Sequence, residues 1–331
     1  MTKYAVFWGC TIKVRYPSVE KAARLALEEL GIELEEVDGL TCCPMPEAFM
    51  VALPEEWRAI AARNLSIIGS RGLDVLVICN GCYETLHKIS EELERRRDLK
   101  DRMRELLSRL GIELKRASVE HAVDILYREK ERIRDAISKP LKNLKIAIHP
   151  GCKLYGSAED RPGKLAELVE LLGCEIVEYP LVRLCCGIPY NYADRDASLR
   201  ERAAVKIRVV RDRGADAMTT FCPGCMLQYE LAQIALKKEL GGEPIPVLNY
   251  MELLALAMGH SPRDIGLALH AVPTRGIVEK LQELAMAIEP VDSEMVLQKR
   301  PRGFSLSEHE PPFGPSGRLE RIRIGNTKLS R

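Results

Sequence analysis

The sequence predicts an α/β protein made of two pseudo-symmetric repeat units with mostly parallel sheets, followed by a C-terminal extension. Strand-like and helix-like segments alternate along the chain, which is typical of parallel sheets covered by helices. Ten of the eleven cysteines form one spacing pattern that occurs twice. A pattern repeated at this distance indicates duplication of a unit of about 140 residues.

The first unit contains five clearly predicted elements. In chain order they are the strand Tyr4–Trp8, the helix Pro17–Leu30, the strand Ile32–Val37, the helix Glu55–Ser70 and the strand Asp74–Ile78. Proline at the first position suits a helix start, because the missing N–H would have no partner there. The continuous apolar run at Asp74–Ile78 is typical of a strand covered on both faces, and a helix is predicted to begin near Cys82.

The second unit repeats this order. Its predicted elements are Lys145–His149, Lys164–Leu172, Glu175–Val177, Ala193–Arg213 and Ala217–Phe221. We expect the first repeat with a helical connector over residues 1–139, the second repeat over 140–259, and C-terminal helices with a partly irregular tail over 260–331. The charged stretch 88–139 is interpreted as a solvated connector rather than a basic docking face. From Glu289 onward, proline, glycine and charge predict a tail that orders against a partner.

The cysteine pattern consists of a single cysteine, an adjacent pair and a CxxC. The first copy contains Cys10, Cys42, Cys43, Cys79 and Cys82, and the second contains Cys152, Cys185, Cys186, Cys222 and Cys225. The eleventh cysteine, Cys174, falls opposite Ile32 when the two units are aligned, so it is predicted to be a small buried apolar residue. In each copy the first cysteine follows the first predicted strand, and the CxxC follows a later strand and opens a helix. Loops at the carboxyl ends of parallel strands are where such sheets form their binding sites.

Length and charge narrow the classes of function. A chain of 331 residues can bury a sizeable core, and a formal net charge of +1 gives no reason to expect nucleic acid or an acidic membrane as the main partner. The N-terminal residues lack a signal-peptide pattern, and no apolar stretch reaches the ~18 residues of a membrane helix. We therefore expect a cytoplasmic, soluble chain, where clustered cysteines are more often metal ligands or redox groups than disulfides.

Four chemistries compete for the ten cysteines. A disulfide framework is disfavoured, because a large cytoplasmic chain builds its own core. Structural zinc would leave Cys10 and Cys152 without a role, and a thioredoxin-like dithiol at a CxxC would leave the other cysteines idle. Iron–sulfur binding uses all ten thiols and is the favoured interpretation.

The motifs resemble those of a known family. The cysteine arrangement is similar to the CCG-domain signature, and about residues 3–280 resemble the B subunits of heterodisulfide reductases. The matching stretches are Gly9–Thr11, Arg15–Ala22, Cys42–Pro44, Cys79–Cys82 and Cys222–Cys225. The resemblance implies Rossmann-like units in which each five-cysteine set named above holds one noncubane [4Fe–4S] cluster. It also implies one-electron transfers from both clusters to the disulfide of coenzyme M and coenzyme B, with a ferredoxin-like C subunit and a flavin-containing A subunit as partners.

Further residues are candidates by position alone. Lys13, Arg15 and Lys153 lie near the cysteines and are candidate contacts for an anionic substrate, although ordinary surface charges are an equal interpretation. His149 is a weak candidate proton donor to a leaving thiolate. The bulky stretch Ile188–Tyr192, where the family carries small residues, keeps open a different, protein-bound sulfur substrate in sulfur oxidation. An electron-relay component of an organic-acid dehydrogenase and a zinc-stabilised scaffold are the remaining alternatives.

Overall fold

The computed structural model describes residues 2–142, 144–156 and 160–281. It contains eight strands in two sheets of four, and every strand pair is parallel. The first sheet has the order β2-β1-β3-β4 and the second β6-β5-β7-β8. The strands are β1 (Thr2–Phe7), β2 (Ile32–Glu35), β3 (Asp74–Val77), β4 (Val119–His121), β5 (Lys145–Ile148), β6 (Glu175–Ile176), β7 (Ala217–Thr220) and β8 (Val247–Asn249).

Helices connect the strands, as parallel pairing requires. In the first half they are α1 (Gly9–Arg15), α2 (Pro17–Glu29), α3 (Pro46–Ala52), α4 (Pro54–Gly69), α5 (Asn80–Arg95), α6 (Arg97–Ser108), α7 (Ala122–Arg128) and α8 (Lys130–Ala136). In the second half they are α9 (Arg161–Leu171), α10 (Arg195–Ser198), α11 (Val205–Asp212), α12 (Pro223–Ala235), α13 (Lys237–Leu240), α14 (Tyr250–Ala257), α15 (Pro262–Ile265) and α16 (Arg275–Lys280). Short 3₁₀ turns cover Cys152–Gly156, Ile188–Tyr192 and Leu267–Leu269, and a π-helix covers Leu199–Ala204.

Alternate residues of β1 belong to two different cores, because successive side chains of a strand point to opposite faces. Ala5 and Phe7 join a cluster that contains buried residues of α4, α5 and α6. Tyr4 and Val6 join a larger cluster that continues through the second repeat. The two sheets are therefore parts of one compact body with a shared apolar core.

A buried charged network also joins the repeats, and it lies next to the packing of α2 against α14. The Tyr16 hydroxyl donates to Glu230 at 2.8 Å. The two ring nitrogens of His270 lie 2.9 Å from Glu230 and 2.8 Å from Glu252. The histidine and both carboxylates are almost fully buried. Burial alone would lower the pKa of His270, but the flanking carboxylates outweigh it and raise that pKa to about 10.

The predicted α/β class with repeated parallel units is confirmed. The structure adds β4 and β8, the fourth strand of each sheet, which were not predicted from the sequence. Each spans only three residues, which is too short for a clear alternation. β4 also lies inside stretch 88–139, so that connector contributes a strand to the sheet and is not wholly helical. The proposed boundaries 1–139, 140–259 and 260–331 remain a prediction, and the tail after Glu289 lies outside the described residues.

Cys174 is buried in the shared core, as predicted. Within the described part of the chain, no helix combines the length and apolar character that a membrane span needs.

Candidate metal centre

Both cysteine sets lie at the point where the strand order of their sheet reverses. The chain leaves β1 toward β2 on one side and returns to β3 on the other, so a crevice opens between the carboxyl ends of β1 and β3. Cys10 follows β1, and Cys79 follows β3 as the N-cap residue of α5. In the second sheet, Cys152 and Cys222 take the corresponding places after β5 and β7.

All ten patterned cysteines line one cavity of about 290 Å³. The remaining walls are mostly apolar and include Trp8, Met45, Phe49, Pro189 and Leu227. The two cysteine sets, which come from separate repeats of the sequence, therefore share a single site. A group held by either set would face the same space.

The thiols form an unbroken series of contacts through this cavity. Within the first set the contacts run from Cys10 through the adjacent pair to the CxxC, and within the second they run likewise from Cys152. The Cys79 and Cys222 thiols contact each other and join the two sets. All of these cysteines are free thiols rather than disulfides.

Contact between thiols splits their ionisation. Contacts with Cys42 and Cys82 lower the pKa of Cys43 to about 6, whereas contacts with Cys43 and Cys79 raise the pKa of Cys82 well above its usual range. Contacts with Cys152 and Cys186 likewise lower the pKa of Cys185 to about 2. Packed thiols cannot all ionise, because like charges repel one another at this distance. A polynuclear group of metal cations removes this conflict, so this donor set fits an iron–sulfur group.

Glycines keep space beside the sulfur atoms. Gly9 and Gly151 precede the first cysteine of each set, and both have left-handed backbone with φ of +71° and +82°. A Cβ on Gly9 would lie 2.7 Å from the Cys82 Sγ, and one on Gly151 would lie 2.7 Å from the Asn80 Nδ2. Both positions therefore require glycine for conformation and for space.

Asn80, inside the first CxxC, connects the two halves of the site. Its buried side-chain amide donates to the Pro150 carbonyl at 2.8 Å, two residues before Cys152. Its Oδ1 lies 3.1 Å from the His121 Nε2, and His121 Nδ1 accepts from the Val123 N–H. That second bond places the ring proton on Nε2, so His121 donates to Asn80. The first CxxC is thus fixed to the loop that carries Cys152, the first cysteine of the second set.

Different buried side chains hold the two adjacent-pair loops. Asn64 accepts from the Thr41 N–H at 3.0 Å and donates to the Cys42 carbonyl at 3.1 Å. The Lys206 ammonium donates to the Leu184 carbonyl at 2.6 Å and lies 3.0 Å from the His149 Nδ1. Burial lowers the pKa of Lys206 to about 8, and burial with the Lys206 charge holds the pKa of His149 well below its usual range.

The predicted substrate residues lie in different places. Lys153 lines the cavity and pairs with Glu47 at 3.4 Å and Glu84 at 3.8 Å. Burial alone would lower the pKa of Lys153, but these carboxylates outweigh it and raise that pKa. Lys13 pairs with Glu20 beside a neighbouring groove, and neither it nor Arg15 is among the residues that line the cavity.

His149 is almost fully buried next to the second set and is not among the residues that line the cavity, so its role as a proton donor stays a prediction. Asn64, Asn80 and Lys206 were not among the site residues predicted from the sequence. Asn80 could have been predicted, because it places a hydrogen-bonding side chain between two cysteines at the start of a helix. No local signal distinguishes Lys206 from the many surface lysines.

Two family models match parts of this chain. A family model described as a cysteine-rich domain, CCG, matches residues 4–87 and 146–230. A second model, described as archaeal Nre, N-terminal, matches residues 256–331.

Two relatives match over most of their length. The chain is 34% identical to the B subunit of the ferredoxin:CoB-CoM heterodisulfide reductase of Methanosarcina mazei, over 87% of this chain and 100% of that protein. It is 30% identical to a protein of Archaeoglobus profundus described as like the B subunit of heterodisulfide reductase, over 86% of this chain and 99% of that one. A crystal structure of a hypothetical protein from Helicobacter pylori shares the fold, with a TM-score of 0.64 at 14% identity over 80% of this chain and 51% of that chain.

Proposed function

Because this chain belongs to the cysteine-rich CCG family, alongside the B subunits of heterodisulfide reductases, we propose that it reduces the heterodisulfide of coenzyme M and coenzyme B to two thiols. Because its relatives are B subunits of heterodisulfide reductases, the chain is an oxidoreductase that acts on a sulfur group. The observation that carries the proposal is the shared cavity, in which two five-thiol sets face one space and meet at Cys79 and Cys222. Two electrons are needed to cleave a disulfide, and a cluster held by each set would supply one of them.

The cofactors proposed are two noncubane [4Fe–4S] clusters. The first would be held by Cys10, Cys42, Cys43, Cys79 and Cys82, and the second by Cys152, Cys185, Cys186, Cys222 and Cys225. Such clusters supply one-electron reduction when they are bound. Five thiols in each set exceed the four that an ordinary cubane needs, and this surplus supports the noncubane type.

The chain's own residues shape the space between the two sets. Trp8, Phe49 and Leu227 give the cavity apolar walls that exclude water from a bound disulfide. Lys153 places one cation at the cavity, where it would contact an anionic arm of the substrate. The N-termini of α5 and α12 carry free N–H groups beside the CxxC sulfurs and favour negative charge there.

Electrons must reach the site from an external donor, because every turnover consumes two of them. We propose that the chain works in a complex with a ferredoxin-like C subunit and a flavin-containing A subunit. The M. mazei relative is named as the B subunit of a ferredoxin-linked reductase, which supports an external donor of this class.

The test begins with protein prepared anaerobically. Iron, sulfide and zinc are measured per chain, and an EPR spectrum is recorded after oxidation in the presence of coenzyme M. We expect about eight iron atoms per chain and a paramagnetic signal that depends on the thiol. One or two zinc atoms without iron would refute the proposal and support a structural scaffold.

A second candidate, reduction of another sulfur substrate, is favoured by the charge of the cavity. Glu47 and Lys153 are the charged residues that line it within the described part of the chain, and they pair with each other. The coenzyme pair carries a sulfonate, a phosphate and a carboxylate, so this cavity offers few cations for it. Comparing kcat/KM for the heterodisulfide with that for the uncharged bis(2-hydroxyethyl) disulfide separates the two candidates, because a preference for the uncharged compound would support the second.

A further inference from the structure

Lys206 is a fully buried cation with three acceptors around it. It lies in α11 with no exposed surface. Its Nζ donates to the Leu184 carbonyl at 2.6 Å and the Val182 carbonyl at 3.1 Å, and it lies 3.0 Å from the His149 Nδ1. An ammonium has three N–H groups, and this arrangement gives each of them a partner.

The same contact orients His149. Because the Nδ1 accepts from Lys206, the neutral ring carries its proton on Nε2. The Nε2 is buried and has no hydrogen-bond partner among the described residues. A ring nitrogen of His149 and the sulfurs of Cys186 and Cys225 all lie within 4.8 Å of one another. An unpartnered buried N–H is unfavourable, so an acceptor close to these sulfurs would stabilise this group.

The first repeat lacks both features at the corresponding positions. The offset of 142 residues that aligns the first cysteines of the two sets also aligns the Arg-Gly pairs that follow α4 and α11. The same offset places Asn64 opposite Lys206 and Phe7 opposite His149. Asn64 is buried like Lys206 and holds its own cysteine-pair loop through neutral hydrogen bonds. Phe7 is buried in the core and has no polar group to offer.

A third difference lies immediately after each cysteine pair. The Gly187 N–H donates to the Cys185 Sγ at 3.5 Å. The corresponding residue of the first repeat is Pro44, which has no backbone N–H. The second set therefore has a buried positive charge and two N–H donors beside its sulfurs, whereas the three corresponding positions of the first carry no charge and only the neutral amide of Asn64, which donates to carbonyl groups.

We propose that Lys206 and His149 are a positioning pair that makes the second cluster easier to reduce than the first. The proposal depends on the ligand sets assigned under the proposed function. Reduction adds one electron to a cluster without forming or breaking a bond in the protein, and the electron comes from a low-potential one-electron donor. A nearby positive charge and N–H donors to sulfur stabilise the added negative charge, since the buried surroundings screen it weakly. The first electron to enter this chain is held at the second set.

The test uses the full-length protein prepared anaerobically with its clusters. Iron and sulfide contents are measured, and each cluster's midpoint potential is determined by EPR-monitored redox titration. The signal of the second set is identified as the one that Cys225→Ser removes. Lys206→Gln keeps hydrogen-bond donors without the charge, Lys206→Arg keeps the charge, and His149→Phe copies the first repeat. Asn64→Ala is the matched control in the first repeat.

We expect Lys206→Gln to retain its iron. We expect it to lower the equilibrium constant for reduction of the second cluster about tenfold, which lowers the midpoint potential by about 59 mV for one electron. His149→Phe should shift the same signal in the same direction, Lys206→Arg should restore the wild-type value, and Asn64→Ala should leave the second signal in place. Unchanged potentials in iron-loaded Lys206→Gln and His149→Phe would overturn the proposal. Loss of the second set's iron in both variants would also overturn it, because the pair would then be a structural anchor. Failure to reduce the heterodisulfide would count against the proposed function and would leave these potentials interpretable.

Discussion

Beneath the first cysteine pair lies the neutral amide of Asn64, and beneath the second lies the ammonium of Lys206. Both side chains are buried, and each holds the loop that carries its cysteine pair. The sheets have the same strand order, and the cysteines occupy the same places in both. The two repeats therefore share the frame that presents the thiols and differ in the groups that support it. Two sets of the same ligands can therefore lie in different electrostatic surroundings.

The CxxC helices extend this contrast. Helix α5 of the first repeat has a partly exposed face, and His87 on it stacks on Tyr83 at 4.8 Å. In α12 the position aligned with His87 is Glu230, which is buried and contacts His270 and Tyr16. The second CxxC helix is thus anchored by the contact of Glu230 with His270, whereas the first is anchored by Asn80 and by Tyr83, whose hydroxyl accepts from the buried Arg161 at 2.8 Å.

The largest effect is expected from removing one ligand of each set. Cys43→Ala and Cys186→Ala should each lose up to about half of the bound iron, because the changed set keeps four of its five thiols, enough for an ordinary cubane but not for the five-thiol cluster, while the other set is intact. Disulfide reduction should be abolished in both variants. Iron per chain and reductase activity are the measurements. Cys174→Ala is the control and should keep all of its iron, since Cys174 lies in the apolar core. Full iron content together with unimpaired disulfide reduction in either ligand variant would show that the assignment is wrong.

The charged anchor of α12 predicts the next largest effect. His270→Leu leaves Glu230 and Glu252 buried without their shared cation, so it should reduce the free energy of unfolding by about 3–5 kcal/mol. Urea unfolding of the anaerobic protein, followed by circular dichroism, measures this loss. His87→Gln, at the aligned position opposite Glu230, should change the value by less than about 0.5 kcal/mol. Equal losses in the two variants would contradict the contrast between the helices.

The same network has a pH dependence with a definite sign. The pKa of His270 is raised from 6.5 to about 10 in the folded protein, because the carboxylates of Glu252 and Glu230 outweigh the effect of burial. Its contribution to stability is therefore complete below pH 6.5 and is lost as the pH rises toward 10. The difference in unfolding free energy between wild type and His270→Leu should shrink over this window. A difference that grows with pH would refute this assignment of the charge.

The two glycines that precede the first cysteines should give smaller and different losses. Gly9→Ala places a methyl group 2.7 Å from the Cys82 Sγ, whereas Gly151→Ala places one 2.7 Å from the Asn80 amide. Backbone strain is expected to be about 1–3 kcal/mol at both positions, because both have positive φ. Gly9→Ala should in addition reduce the iron held by the first set. Iron analysis and urea unfolding together separate strain, which is common to both, from crowding of a ligand.

The sequence was sufficient to predict the alternating elements and the repeat, because apolar periodicity and cysteine spacing are local patterns. It was not sufficient for β4 and β8, whose three residues are held in the sheet by pairing with β3 and β7. The contact between Cys79 and Cys222 depends on how the two sheets pack, so no local pattern in the sequence predicts it. Lys206 gave no sequence signal, because only the fold surrounds it with carbonyl groups and His149.

The smallest effect is expected where the two repeats are most alike. Lys3 pairs with Glu33 at 2.8 Å, and Lys145 pairs with Glu175 at the aligned positions of the second sheet at 3.6 Å. Both pairs join the first two strands of their sheets and are largely exposed. Water screens such pairs, so Lys3→Gln and Lys145→Gln should leave the urea midpoint unchanged within error. A clear decrease of the urea midpoint in either variant would show that the ion pair contributes to stability. If neither variant loses stability, an interaction that is the same in both repeats need not contribute to the free energy of unfolding. The informative positions are then those where aligned places in the two repeats have different residues, as at Asn64 and Lys206.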